Sequence, residues 1–205
     1  MNKLFLLLAA LLVVTPSVAS ANLLGDPGFE GAGTGPWGGW QNTNVTRDFD
    51  ATSQVRTGSE ALGITWTASI PAYNGGGAEQ NIAVTAGQLW NAEVYAKVTN
   101  AIENGDAYLE TKFYNSSWVQ QGGDLQSAKL SAVADWTLLT NSGIVPATAV
   151  AAQYRLVAFT SGGASSGGAV YFDDTNAAIP EPTSMLLLGT GLIGLLGFGR
   201  KKLLK

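Results

Sequence analysis

Between residues 22 and 179 the chain repeats short segments in which apolar and polar residues alternate: NAEVYAKV (91–98), AYLETKFY (107–114), AQYRLVAF (152–159) and GGAVYFDD (167–174). A two-residue period sends successive side chains to opposite faces of an extended strand, and the intervening GQ, ENGD, NSSWVQQGGD and SGGASSGG stretches are rich in turn formers. No long apolar stripe of helical period with caps appears in this span. The pattern therefore predicts antiparallel strands packed as a sandwich or barrel. SGGASSGG (161–168) lies between two good strands and reads as a loop, not as a linker between domains.

The alternation also assigns faces. Ala92, Val94, Ala96 and Val98 are predicted to face the core, as are Leu109, Thr111 and Phe113, and Tyr154, Leu156 and Ala158. If the three strands share one sheet, its outer face carries Tyr95, Tyr108 and Tyr114 together with Lys97, Lys112, Glu110, Gln153 and Arg155. Such a face mixes flat rings with hydrogen-bonding groups. The plain alternative is a solvated sheet with cross-strand ion pairs.

The two ends depart from this pattern. Lys3, an apolar run from Leu4 to Val14 and the small-residue triplet Ala19-Ser20-Ala21 make residues 1–21 a cleavable secretory signal, so that the mature chain begins at Asn22. At the other end, Pro180-Glu181-Pro182 precedes an uncharged stretch, 183–199, and a basic cluster of Arg200, Lys201, Lys202 and Lys205. Those 17 residues are just long enough to cross a bilayer as a helix, which takes about 17–25, with the basic end cytoplasmic and the domain outside. The ordered trio over 180–205 resembles the PEP-CTERM sorting signal of exopolysaccharide-producing Gram-negative bacteria. The resemblance implies export, a transient inner-membrane anchor, processing by an exosortase near the Pro-Glu-Pro, and delivery to the cell surface or extracellular matrix.

Composition narrows the chemistry. The 205 residues include neither histidine nor cysteine, which excludes zinc sites of the usual kinds, Ser-His-Asp and Cys-His nucleophiles, and disulfides. Carboxylate chemistry, oxygen-ligated metals and binding by aromatic or hydrogen-bonding side chains remain. Residues 22–179 hold six Lys and Arg against fourteen Asp and Glu, a net charge of −8. Nucleic acid is a poor partner for such a surface. No carboxylate stands isolated in an aromatic-rich segment except Glu110, between tyrosines, so the chain does not read as an enzyme.

NLLGDPGFEG (22–31), Trp40, RTGSEALGI (56–64), EQNIAVTAGQLWNAEVYAKV (79–98), the strand 107–114, DWTLLTNSGIVPATA (135–149) with a strand after it, and AVYFDD (169–174) together resemble carbohydrate-binding modules of families 4, 9 and 22. The resemblance implies an all-β fold, an antiparallel β-sandwich of the jelly-roll, galactose-binding-domain-like class, over 22–179, and a polysaccharide as partner. It also implies a structural calcium held by Glu30 and by Asp173 or Asp174, with backbone carbonyls near Gly25 and in the 56–60 turn. TNAA (175–178) departs from the apolar alternation that related sequences continue here, which weakens that site.

Sugar recognition requires exposed ring faces and directional polar groups. Trp40, Trp66, Trp90 and Trp136 are expected in the core. Trp37, Tyr73 and Trp118 stand in glycine-rich or polar loops, and with Tyr95, Tyr108, Tyr114 and Arg155 they are the candidate carbohydrate contacts. The competing reading is a structural matrix protein that uses the same sandwich for protein contacts.

Overall fold

The four period-two segments fall on strands of a ten-stranded fold. The structure, a computed structural model, describes residues 21–31, 33–69, 71–163 and 167–180. The strands are β1 (Gly38–Gln41), β2 (Val45–Ala51), β3 (Ala61–Trp66), β4 (Asn74–Ala83), β5 (Leu89–Asn100), β6 (Gly105–Tyr114), β7 (Gln120–Gln126), β8 (Ala134–Ile144), β9 (Ala151–Thr160) and β10 (Ala169–Ala178). Among the described residues there is no helix. The expected signal peptide, apart from Ala21, and the C-terminal membrane helix lie outside them.

All pairings are antiparallel and build two five-stranded sheets, β1-β4-β9-β6-β7 and β2-β3-β10-β5-β8. Each sheet has one apolar face, and burying the two against each other yields the expected β-sandwich. The predicted faces of β5, β6 and β9 are observed: Val94, Val98, Leu109, Tyr154 and Leu156 are fully buried. The shared sheet is not. The 101–104 connection carries the chain from the second sheet to the first, so Tyr95 and Lys97 on β5 sit on the opposite outer face from Tyr108, Tyr114 and Arg155.

Core aromatics anchor the two layers. Trp90 on β5 is fully buried, packs edge-on to Phe113 with ring centroids 6.1 Å apart, and donates Nε1–H to Thr111 Oγ1 at 3.1 Å. Tyr154 on β9 donates its hydroxyl to the Glu93 carbonyl at 2.7 Å, tying the sheets together from inside. Burial of each such side chain contributes about 1.5–3 kcal/mol, and the hydrogen bond removes the penalty of a stranded polar atom. Burial also pushes the Tyr154 phenol up from its ordinary pKa.

The segment before β1 lies along β10: Leu23 N–H donates to Ala177 O at 2.8 Å and Thr175 N–H to Pro27 O at 2.8 Å. Trp37, expected as an exposed loop ring, is instead buried at 3% exposure. It donates Nε1–H to Asp26 O at 3.0 Å and packs on Phe29, centroids 5.0 Å apart, and edge-on to Tyr154 at 6.0 Å. The loop folds inward because the indole finds both an apolar bed and a carbonyl acceptor.

Candidate functional site: the outer face of the first sheet

The register of β1, β4, β9, β6 and β7 stacks the outward side chains in rows. Trp40 pairs with Gly77, Gly77 with Val157 and Val157 with Tyr108, which gives one band of ring, methyl and ring across the sheet. The next row runs Glu79, Arg155, Glu110 and Gln126, and the one after it Asn81, Gln153 and Lys112. Apolar and hydrogen-bonding groups therefore lie in adjacent parallel lines.

Gly77 makes the first row possible. A Cβ there would stand 2.2 Å from Trp40 Cη2, so only glycine lets the indole lie over the neighbouring strand. Trp40 is thus partly exposed on the outer face and not in the core as expected. Trp136 likewise is half-buried on the other sheet, 6.0 Å from Lys97 Nζ, whereas Trp66 and Trp90 are core residues.

Arg155 holds the second row together. Its guanidinium lies 4.4 Å from the Trp40 ring centroid, its Nε 3.4 Å from Glu79 Oε2, and its Nη1 bonds Glu110 Oε2. Glu110, only 3% exposed, also accepts from Gln126 Nε2 at 2.9 Å and sits 3.6 Å from Lys112 Nζ. Lys112 in turn pairs with Asp124 at 3.2 Å. A nearly buried carboxylate surrounded by cations and an amide is held in one orientation. Lys129 lies 4.8 Å from the Tyr108 ring, whose phenol is pushed up from its ordinary pKa first by burial and then by the Glu110 charge.

The loop rings flank this face at its two ends. Tyr73, just before β4, is 77% exposed and 6.4 Å from Phe159; Trp118, at the β6–β7 turn, is 58% exposed and 5.5 Å from Tyr114. Tyr95 is separated from all of them, with Arg56 stacked 3.4 Å from its ring centroid on the second sheet. The structure therefore brings Tyr108, Tyr114 and Arg155 onto one face, sets Tyr73 and Trp118 at its margins, and removes Trp37 and Tyr95. Sequence reasoning missed Trp40, Glu79 and Gln126. The signal for Trp40 was the glycine run Gly75-Gly76-Gly77, which leaves room for a neighbouring ring.

Of the expected calcium ligands, Asp173 and Asp174 stand on β10, the central strand of the second sheet, and the oxygens of the whole set meet donors. Glu30 accepts from Ser59 Oγ at 2.7 Å, from Ser59 N–H at 2.9 Å and from Glu60 N–H at 3.2 Å. Asp173, fully buried, accepts backbone N–H groups of Arg56, Thr57 and Asp174, while Asp174 bonds the Arg56 guanidinium and the Thr57 hydroxyl. The Gly25 carbonyl accepts from Gln80 Nε2 at 2.7 Å. Among the described residues no group of three or more acidic side chains is placed to hold a metal. A calcium shell of about 6–8 oxygens needs these atoms free, so the site as arranged does not fit the ion. The hydrogen bonds leave their own electrostatic mark: the Ser59 hydroxyl and backbone donors hold the Glu30 carboxyl below the usual range, while burial pushes Asp173 up.

With the geometry in place, comparison with known proteins adds two findings. Residues 178–201 match the PEP-CTERM protein-sorting motif, which indicates an exported protein anchored transiently at the membrane. The sandwich is similar to the CBM22-1 xylan-binding domain of Paenibacillus barcinonensis Xyn10C, with a TM-score of 0.57, 15% identity, 80% of this chain covered and 97% of that one. It is also similar to TmCBM61, solved with β-1,4-galactotriose, at TM-score 0.55 and 14% identity over 78% of this chain and 99% of that one. A third similar structure is the enzymatically active domain of bacteriophage CBA120 tailspike protein 4, at TM-score 0.56 and 12% identity; the match covers 77% of this chain and 21% of that one. The fold is that of carbohydrate-binding jelly rolls. No curated protein matches the sequence.

Proposed function

We propose that the protein is an exported, non-catalytic carbohydrate-binding protein that holds a polysaccharide, an exopolysaccharide of the surface or matrix, across the outer face of its first sheet. The observation that carries this reading is the pair of parallel rows on that face, Trp40-Val157-Tyr108 beside Glu79-Arg155-Glu110-Gln126. Pyranose C–H patches pack on the rings, while hydroxyls meet the carboxylate, guanidinium and amide heads one row away. Strands hold both sets of groups, so little ordering entropy is lost on binding. The two carboxylates nearest the rings, Glu79 and Glu110, are both tied to Arg155, which suits fixed acceptors better than a proton donor and a nucleophile. The sorting motif and the fold shared with a xylan-binding domain and with a module solved with β-1,4-galactotriose support the same reading.

Affinity electrophoresis of residues 21–179 through gels containing xylan, β-1,4-galactan, glucans or the producing cell's own exopolysaccharide tests it. Retardation by at least one polymer, relieved by its oligosaccharide, is expected. Unchanged mobility in every gel would sink the proposal in favour of a protein-contact role.

A further inference from the structure

Six of the nine large apolar side chains exposed on the described residues gather at one end of the sandwich: Leu23, Leu89, Trp118, Val119, Ile144 and Val150. The topology collects them there. Leu89 opens β5 and Ile144 closes β8 directly opposite it, and Val150 immediately precedes β9. Trp118 and Val119 form the tip of the hairpin that leaves β6 at Tyr114, which is itself opposite Ala151 at the start of β9. Leu23 is hydrogen-bonded to Ala177, one residue from the end of β10. Short connections, 84–88 from β4 to β5 and 145–150 from β8 to β9, keep the two sheets' contributions at the same end.

This end is also poor in charge: the carboxylates that reach its segments are Asp124, bonded to Gln120, and Glu93, bonded to Asn176, with Asp26 three residues after Leu23. Residues 84–92, 113–123, 138–154 and 175–180, which meet there, contain no Asp, Glu, Lys or Arg, although residues 22–179 carry twenty such side chains. β10 finishes at this end with Ala178, and the sequence then runs through Ile179 and Pro180-Glu181-Pro182 into the uncharged stretch 183–199.

We infer that this apolar, charge-poor end is a lipid-contact surface, which lies on the bilayer while the sorting segment holds the protein at the membrane. The inference rests on the anchoring that the sorting motif indicates and is independent of sugar binding. A bilayer is the occupant that the chemistry fits. Tryptophan and aliphatic side chains partition into the headgroup boundary, whereas an acidic surface is repelled by anionic lipid, which leaves the charge-poor end as the one best able to approach. A tether raises the local concentration of surface relative to the patch, so a small apolar area suffices.

The test uses the full chain from Asn22 to Lys205, reconstituted into phosphatidylcholine vesicles with or without bromine on the upper acyl chain. The sorting segment contains no tryptophan, and Trp118 is the exposed one at this end, so quenching reports the domain. Brominated lipid is expected to dim the emission. Trp118→Phe should remove most of that quenching, and Ile144→Asp with Val150→Asp should reduce it several-fold, while every variant still floats with the vesicles through its unchanged tail. Equal emission in brominated and plain vesicles would overturn the inference. So would shielding of Trp118 from acrylamide in lipid-free protein at high concentration, which assigns the end to a second copy, or shielding by a soluble oligosaccharide, which assigns it to glycan.

Discussion

The two outer faces of the sandwich are built from the same parts and put them to different use. On the first sheet Trp40 lies over Gly77 with Arg155 beside it; on the second, Tyr171 lies over Gly63, whose Cβ would stand 3.2 Å from its ring, and Arg56 stacks on Tyr95. The cations differ in origin. Arg155 is a strand residue fixed by its neighbours Glu79 and Glu110 in the same sheet, whereas Arg56 comes from the 52–60 loop and is fastened by Asp174. Ser53 of the same loop meets the Tyr171 hydroxyl at 3.5 Å. The second face is thus partly occupied by its own loop, while on the first the guanidinium beside the ring belongs to the sheet itself.

The largest expected effect comes from breaking the network under the first face. Arg155→Ala leaves the nearly buried Glu110 carboxylate without its main counter-charge, which should lower stability by about 3 kcal/mol in denaturant titrations and abolish polysaccharide retardation. Next comes Gly77→Val, which forces a Cβ into Trp40 and the Leu156 carbonyl, 2.4 Å away. It should cost about 1–3 kcal/mol of stability and displace the indole, seen as a changed tryptophan emission spectrum and lost binding.

A smaller effect is expected around Glu30 and Asp173. Glu30, held below its ordinary pKa, contributes stability above the usual carboxylate range and loses it as pH falls through its folded pKa. Asp173, pushed up by burial, acts oppositely: the fold loses stability as pH rises from the ordinary carboxylate pKa to its raised one. Glu30→Gln should therefore flatten the acid limb of the Tm against pH curve. Because hydrogen bonds already fill these oxygens, melting curves with and without chelator should superimpose; a lower Tm in chelator would mean that calcium displaces those donors.

Much of this was legible in the chain. The period-two alternation placed every tested residue of β5, β6 and β9 on its correct side, because one face of each sheet must be buried. It could not say which sheet a strand joins, since β5 and β6 alternate alike on either side of the 101–104 crossover, and so Tyr95 was grouped with rings on the opposite face. Trp37 misled because glycine-rich flanks suggest exposure, while its burial depends on Asp26, Phe29 and Tyr154, the last more than a hundred residues away. Trp40 stands in a four-residue edge strand, GGWQ, too short to show a period. Its exposure is decided by a glycine on the adjacent strand.

The comparison of faces reduces to one paired affinity measurement: residues 21–179 as wild type, Trp40→Ala and Tyr95→Ala against the polysaccharide that retards the wild type. The account predicts that Trp40→Ala weakens binding by about 10- to 100-fold, the equivalent of about 1–3 kcal/mol, while Tyr95→Ala binds as the wild type does. Loss of affinity on Tyr95→Ala, with Trp40→Ala unaffected, would contradict it and move the site to the second sheet.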